Sequence, residues 1–313
     1  IISPPSDCAH RGSCAAGWSK FKPLNIRLIN QDKGLLMAQL MYGHIMVGEV
    51  RIAYYRTGGE KPPIILLHGF SDNGLCWNQV PVLFEPEFDL IMPDARGHGR
   101  SGNDASGDKI TAQAEDVLEL IQQLRLHKPV LWGHSMGAEA AALTAARAPK
   151  LIRAVILEDP PWREAAFYQD ADFRDRRVAG WQSLMENFRS HSEEELAAQG
   201  RLQNPKWDES EFFQWARAKK QLRPDALAWL TSERQFWSDI VRQIDCPGLL
   251  LTADQVLGAI VSPATASEIQ KLWRKVKVVH VPGAGHNIHR EQLAAVVTAV
   301  DRFLHDLKKW KPG

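Results

Sequence analysis

The sequence predicts an α/β fold: a mostly parallel central sheet with helices on both faces and a helical cap inserted late in the chain. Three observations carry this. Short unbroken apolar runs alternate with helical stretches along most of the chain. Several of those runs end in turns that carry Gly and His. The alternation fails once, between Pro161 and Gln243. A short apolar run bounded by turn residues suits a strand buried on both faces, and strand alternating with helix argues parallel pairing through crossovers.

Residues 43–48 and 50–57 read as two antiparallel strands joined by a short turn. Residues 64–68, just after Pro62-Pro63, form the first buried run. Runs at 89–93, 129–132, 152–157, 248–251 and 276–281 share its character. Helices are expected at 112–124, 136–147, 263–273 and 290–308. The stretch 161–243 contains no strand candidate and reads as several helices rich in Trp and charge. Trp162, Trp181, Trp207, Trp215, Trp229 and Trp237 all fall there, and Arg217, Lys219 and Lys220 read as a solvated helix face. The expected division is therefore a core of 42–160 and 244–313, with a cap at 161–243.

Residues 1–41 are expected to be an irregular extension without catalytic chemistry. The first 17 residues are rich in Ser, Pro, Cys and Ala and show neither period. Met37, Met41 and Met46 follow closely, and Lys33-Gly34 suits a translated ribosome-binding stretch, so a natural start at Met37 is one expectation.

The 313 residues suffice for one large domain with an insertion. A formal net charge of +1 gives no reason to expect nucleic acid, an anionic membrane or a highly charged substrate. No run of about 18 apolar residues suggests a transmembrane helix, and no signal peptide is visible, so a cytoplasmic location is expected. Cys8, Cys14, Cys76 and Cys246 form no CxxC pair, so neither a zinc site nor a disulfide framework is expected. Cys8 and Cys14 are not expected to bridge.

Chemistry concentrates at strand ends. Gly133-His134-Ser135-Met136-Gly137 fits G-x-S-x-G, follows an expected strand and opens an expected helix. That context places a serine hydroxyl on a sharp, strained turn. His68-Gly69-Phe70 ends an earlier buried strand, and Gly283-Ala284-Gly285-His286 follows the last one. His286 is the expected general base for Ser135, on its place in a Gly-rich loop, with His289 its competitor. Asp94-Ala95-Arg96-Gly97-His98-Gly99-Arg100-Ser101 follows another strand and reads as a structural loop, in which Asp94 and Arg96 satisfy backbone groups. No catalytic role is assigned to His98, and His68 reads as structural.

With these motifs the chain resembles the α/β-hydrolase superfamily over roughly residues 43–307, and within it the capped esterases, lactonases and C–C bond hydrolases. The resemblance implies that the backbone amides of Phe70 and Met136 form an oxyanion hole. It implies the chain order Ser, acid, His. The acid is expected at Asp254, after the strand at 248–251, with Asp159 in Glu158-Asp159-Pro160 as the alternative. Trp77 and Trp162 are candidates for lining the substrate pocket, with ordinary core packing the alternative for both. The Ser at the elbow sets the chain apart from relatives that carry Asp there. The expected activity is hydrolysis of a carboxylic ester or lactone of a small, largely apolar molecule through an acyl-enzyme, with no cofactor and no metal. Cleavage of a diketone C–C bond, or a ligand-binding receptor on the same fold, are the alternatives.

Overall fold

The computed structural model describes residues 22–30, 34–102, 110–164, 171–232 and 235–309. Nine strands of the described residues form one sheet: β1 (Lys22–Asn30), β2 (Gly34–Val47), β3 (Val50–Arg56), β4 (Pro63–Leu67), β5 (Asp89–Pro93), β6 (Val130–His134), β7 (Ala154–Glu158), β8 (Gly248–Ala253) and β9 (Val276–Val281). The spatial order is β1-β2-β3-β5-β4-β6-β7-β8-β9. Pairing is antiparallel from β1 through β3 to β5 and parallel from β5 to β9.

The eleven α-helices of the described residues are α1 (Gln79–Phe84), α2 (Ile110–Gln123), α3 (Met136–Arg147), α4 (Ala171–Ser190), α5 (Glu193–Gln203), α6 (Glu209–Gln221), α7 (Ala228–Thr231), α8 (Trp237–Gln243), α9 (Pro263–Leu272), α10 (Ile288–Glu291) and α11 (Leu293–Lys309).

The unbroken apolar runs are explained by burial on both faces. Ile64, Leu66, Val130, Trp132, Ala154, Ile156, Leu249 and Leu251 pack with α1 and α11 on one side. Ile65, Leu67, Leu131, Val155, Leu157 and Leu250 pack with α2, α3, α8 and α9 on the other. Successive strand residues alternate between faces, so both registers must be apolar.

Two boundaries differ from expectation. Strand pairing begins at Lys22, and β2 starts at Gly34, not at Gly43, because residues 22–30 pair with 34–42 as a hairpin at the sheet edge. Residues before Lys22, including Cys8 and Cys14, lie outside the described residues. In the insertion, α4 to α6 come with a core of their own, built on Met185, Phe188, Leu196, Trp207 and Phe212, whereas Trp229 and Leu230 of α7 pack into the sheet-side core. Helix α8 also joins the sheet's own layer through Ile240 and Val241, beside α3 and α9.

Chain direction matters most for the site. From β4 the chain moves to β5 on one side, then returns to β6 on the other. Loops leaving the carboxyl ends of strands on either side of such a reversal splay apart and leave a crevice. His68-Gly69-Phe70 leaves β4 there, and Ser135 leaves β6.

Candidate active site

Ser135 sits between β6 and α3 with φ 51° and ψ −115°, a conformation that costs an L residue and persists only where the surroundings impose it. The imposition is steric. A Cβ on Gly133 would lie 2.2 Å from the Gly137 carbonyl oxygen, and one on Gly137 would lie 2.1 Å from the Leu67 carbonyl oxygen. Both positions of the G-x-S-x-G pattern are therefore closed to any side chain without backbone movement.

His286 Nε2 stands 3.0 Å from Ser135 Oγ, and His286 Nδ1 stands 2.6 Å from Asp159 Oδ2. The Asp159 carboxylate also accepts the amides of Ile260, at 2.8 Å, and Val261, at 2.9 Å. Asp159 is fully buried at the end of β7 and takes φ 40°, so its backbone as well as its side chain is fixed. Ser135, only 7 % exposed, thus lies at one end of a hydrogen-bonded row that runs through His286 to a buried carboxylate.

This corrects the preference for Asp254. Asp254 Oδ1 bonds His280 Nε2 at 3.0 Å, and its Oδ2 accepts the Gly283 amide at 2.7 Å. The Gly283 amide, with His280, holds its carboxyl below the usual range. Asp254 supports the Gly loop that carries His286 but does not reach the imidazole. The reason is lateral. Strand β7 is the immediate neighbour of β6, whereas β8 lies one strand further out.

The competing histidine is also accounted for. His289 is buried, bonds Glu158 Oε1 through Nδ1 at 2.6 Å and through its amide at 2.9 Å, and stacks on Trp77 at 4.7 Å. Adjacent carboxylates at the end of β7 therefore serve two histidines. His134 Nε2 contacts the His286 carbonyl at 3.0 Å, which anchors the backbone of the loop.

The Gly69 loop runs against the elbow, since a Cβ on Gly69 would lie 2.7 Å from His134 Nδ1 and 3.5 Å from Ser135 Cβ. The Asp72 amide donates to the Gly69 carbonyl at 3.1 Å, closing a tight turn with Ser71 at φ 68°. Phe70 follows Gly69 in that turn, and Met136 opens α3, where the first helical amides have no intrahelical acceptor.

The Asp94 loop is structural. Asp94 accepts the amides of Gly74 and Arg100, each at 2.8 Å. Arg96 forms a two-pronged pair with Asp116, at 2.8 and 2.6 Å. His68 accepts the Ala95 amide at 2.9 Å through Nε2 and pairs Nδ1 with the Gly69 carbonyl at 2.8 Å. Burial holds its imidazole down to about 4, and so neutral. His98 is likewise buried and held down to about 3.

Trp77 and Trp162 are 2 % and 1 % exposed, and Trp162 stacks on Trp237 at 6.2 Å, so both take part in core packing. Other aromatic residues meet beside the Gly69–Asp72 turn. Phe70 stacks on Trp229 at 5.3 Å and meets Trp181 edge-on at 4.7 Å. Phe70 is expected to contribute its amide, and its side chain also joins the helical insertion to the Gly69–Asp72 turn.

Sequence reasoning missed a buried charge cluster. Lys219 is only 5 % exposed, not on a solvated face. It bonds Ser71 and Asp72, while Arg290 bonds Asp72 and Glu211. Burial would raise the Asp72 carboxyl, but Arg290 and Lys219 overcome this and hold it well below the usual range. Lys220, by contrast, is exposed and donates to the carbonyls of Phe188, Arg189 and His191 at the C-terminal end of α4.

A model of the alpha/beta hydrolase fold matches residues 62–292. The chain belongs to the α/β-hydrolase family. A 2-(acetamidomethylene)succinate hydrolase of Mesorhizobium japonicum is 26 % identical over 262 residues, covering 80 % of this chain and 90 % of its own. An N-formylmaleamate deformylase of Pseudomonas putida is 28 % identical over 283 residues, covering 84 % and 96 %. The solved structure of a thermophilic esterase from Thermogutta terrifontis superposes with a TM-score of 0.65 at 23 % identity, covering 86 % of this α/β-hydrolase and 99 % of that chain. The named relatives in this family support a hydrolase here as well. Among the described residues of this α/β-hydrolase, no helix is long and apolar enough to cross a membrane.

Proposed function

We propose that this hydrolase cleaves a carboxylic ester or lactone of a small, largely apolar molecule through an acyl-enzyme on Ser135. The observation that carries the reading is the row Asp159–His286–Ser135, with Ser135 in the strained turn. In the first half-reaction Ser135 Oγ attacks the carbonyl carbon while His286 Nε2 takes its proton. Asp159 keeps Nδ1 protonated, so Nε2 presents its lone pair to the serine, and stabilises the imidazolium that forms. The amides of Phe70 and Met136 receive the oxyanion. His286 then returns the proton to the leaving alcohol. In the second half-reaction His286 activates a water, which attacks the acyl carbon and regenerates Ser135. The partly buried Phe70 and Trp181, which meet edge-on, support an apolar substrate.

A second reading keeps the residues and changes the bond. Relatives named for hydrolysis of 2-(acetamidomethylene)succinate and for deformylation of N-formylmaleamate favour an acyl–nitrogen bond. A panel of p-nitrophenyl esters, lactones, N-acyl substrates and vinylogous diketones, run on wild type beside Ser135→Ala, separates these readings. Ester or lactone turnover that vanishes in Ser135→Ala is expected. Turnover confined to N-acyl substrates moves the reading to amide hydrolysis, and turnover confined to diketones moves it to C–C cleavage. Ester turnover that survives in Ser135→Ala removes Ser135 as nucleophile.

A further inference from the structure

We propose that Lys219, on helix α6, is a positioning residue for the oxyanion hole, so that docking of this helix fixes the turn that aims the Phe70 amide. The proposal rests on the acyl-enzyme reading and extends it to the part played by the helical insertion.

The Phe70 amide lies in the Gly69–Asp72 turn, so its direction follows the geometry of that turn. The third residue of the turn is Ser71 at φ 68°. Glycine takes that region freely, whereas other L residues enter it at a cost of roughly 1 kcal/mol or more. Such a conformation persists where the surroundings over-determine it.

The over-determining contacts come from α6. Lys219 Nζ donates to the Ser71 carbonyl at 3.1 Å, to Ser71 Oγ at 2.9 Å and to Asp72 Oδ1 at 2.9 Å. An ammonium has three donors, and all three are directed to the two residues after Phe70. Asp72 is held from its other oxygen by Arg290 Nη2 at 3.0 Å, and Arg290 Nε reaches back to Glu211 of α6 at 3.2 Å. The quartet joins two cations to two carboxyl groups, of which burial pushes Glu211 upward, and all four residues are buried. Burying them costs several kcal/mol of desolvation per ion, which apolar packing would avoid. What the cluster supplies is direction: it fixes the oxyanion turn to α6 and to Arg290, four residues beyond His286. Neighbouring contacts reinforce the same junction, with Asn73 Nδ2 donating to Gln221 Oε1 at 2.9 Å and Asn78 Nδ2 to the Ser210 carbonyl at 2.8 Å.

The decisive variant is Lys219→Met, which keeps the aliphatic stem and leaves Asp72 paired with Arg290. The probe is a trifluoromethyl ketone matched to the best ester of the panel, because its serine adduct places an oxyanion in the hole. The expected result is a fall of about 10–100-fold in kcat, since small misplacements in a catalytic site reach that size. The ketone's Ki should rise by a similar factor, while KM and the Ki of the product acid stay within about threefold. Lys219→Arg should recover part of the loss. A second arm isolates the turn. In a Ser71→Gly background the strained residue no longer needs holding, so the Lys219→Met effect should shrink severalfold. A purely structural lysine would not be rescued there. Should Lys219→Met fail to fold, Lys219→Gln takes its place with the same readouts.

Two failures remain distinguishable. If wild type forms no acyl adduct that Ser135→Ala abolishes, the acyl-enzyme reading falls and the proposal with it. If that adduct forms, but the folded Lys219 variant keeps kcat and ketone Ki within twofold of wild type, the proposal alone is overturned.

Discussion

Replacing Asp159 with Asn keeps the shape of the side chain and removes its charge. In the native site the carboxylate meets His286 Nδ1 at 2.6 Å and two backbone amides, from Ile260 and Val261. These three partners present only N–H groups when Nδ1 is protonated, so a carboxylate accepts from all of them. Asn has one acceptor oxygen. If that oxygen faces the two amides, its NH2 faces His286 and forces Nδ1 to accept. The proton then moves to Nε2, which points at Ser135 Oγ at 3.0 Å and loses the lone pair that general-base catalysis needs. If the side chain flips, the NH2 collides with two amide donors, and a buried unsatisfied group costs about 1–3 kcal/mol. Wrong-tautomer substitutions of this kind lower kcat by about 10⁴, which is about 5.4 kcal/mol of transition-state stabilisation. The assay is steady-state turnover of the best ester, with Ser135→Ala as the floor and a thermal melt as the folding control. Asp254→Asn, run alongside, should cost under about tenfold, because Asp254 supports Gly283 and His280 and does not touch His286. The reasoning fails if Asp159→Asn keeps a tenth or more of wild-type kcat, or if Asp254→Asn costs as much as Asp159→Asn.

Two further outcomes follow from the same geometry. Gly137→Ala should prevent folding or abolish turnover in any folded fraction, since its Cβ would lie 2.1 Å from the Leu67 carbonyl oxygen; near-native expression, melting and turnover would show that the elbow relaxes freely. Acid should destabilise the fold well above pH 4. Burial holds His68 to about 4, and His98 and His134 to about 3, against an ordinary value of 6.5. Below pH 6.5 these three histidines therefore bind more protons in the unfolded chain than in the native one, and together they outweigh the buried Asp94 carboxyl, which burial pushes up to about 6 and which works in the opposite direction. The stabilisation is intact above pH 6.5 and is lost as pH falls, by up to about 1.4 kcal/mol per unit for each histidine. Chemical denaturation at pH 7.5, 6.5, 5.5 and 5.0 should show falling stability, and an unchanged or rising value at pH 5.0 would contradict it.

The parallel core was legible because burial on both faces leaves an unmistakable run, as in Ile64–Ile65–Leu66–Leu67. The edge hairpin was less so. Leu24, Ile26 and Leu28 alternate with Asn25 and Arg27 in the period of a strand, yet the Ser- and Pro-rich residues before them and the cluster of methionines after them pointed to an irregular extension. Ser135 and His286 were readable because each depends on local turn chemistry at a strand end. The carboxylate that reaches His286 was not, because Asp159 and Asp254 both end strands in carboxylates, and lateral strand order decides which one meets the imidazole. Lys219 was hidden for the same reason. Its neighbours Arg217 and Lys220 suggest a wet face, and only the docking of α6 onto the Ser71–Asp72 turn shows otherwise. The aromatic residues beside the Gly69–Asp72 turn were obscured by numbers: many tryptophans pack cores, and nothing local separates the partly buried Trp181 from Trp162.

The most direct test is the site of covalent capture. Wild type, Ser135→Ala and Asp159→Asn would each be incubated with a fluorophosphonate and examined by intact mass and peptide mapping. A single adduct on the Ser135 peptide of wild type is predicted, absent from Ser135→Ala and formed far more slowly in Asp159→Asn. An adduct on another residue, or labelling of Ser135 at the wild-type rate in Asp159→Asn, would contradict the account.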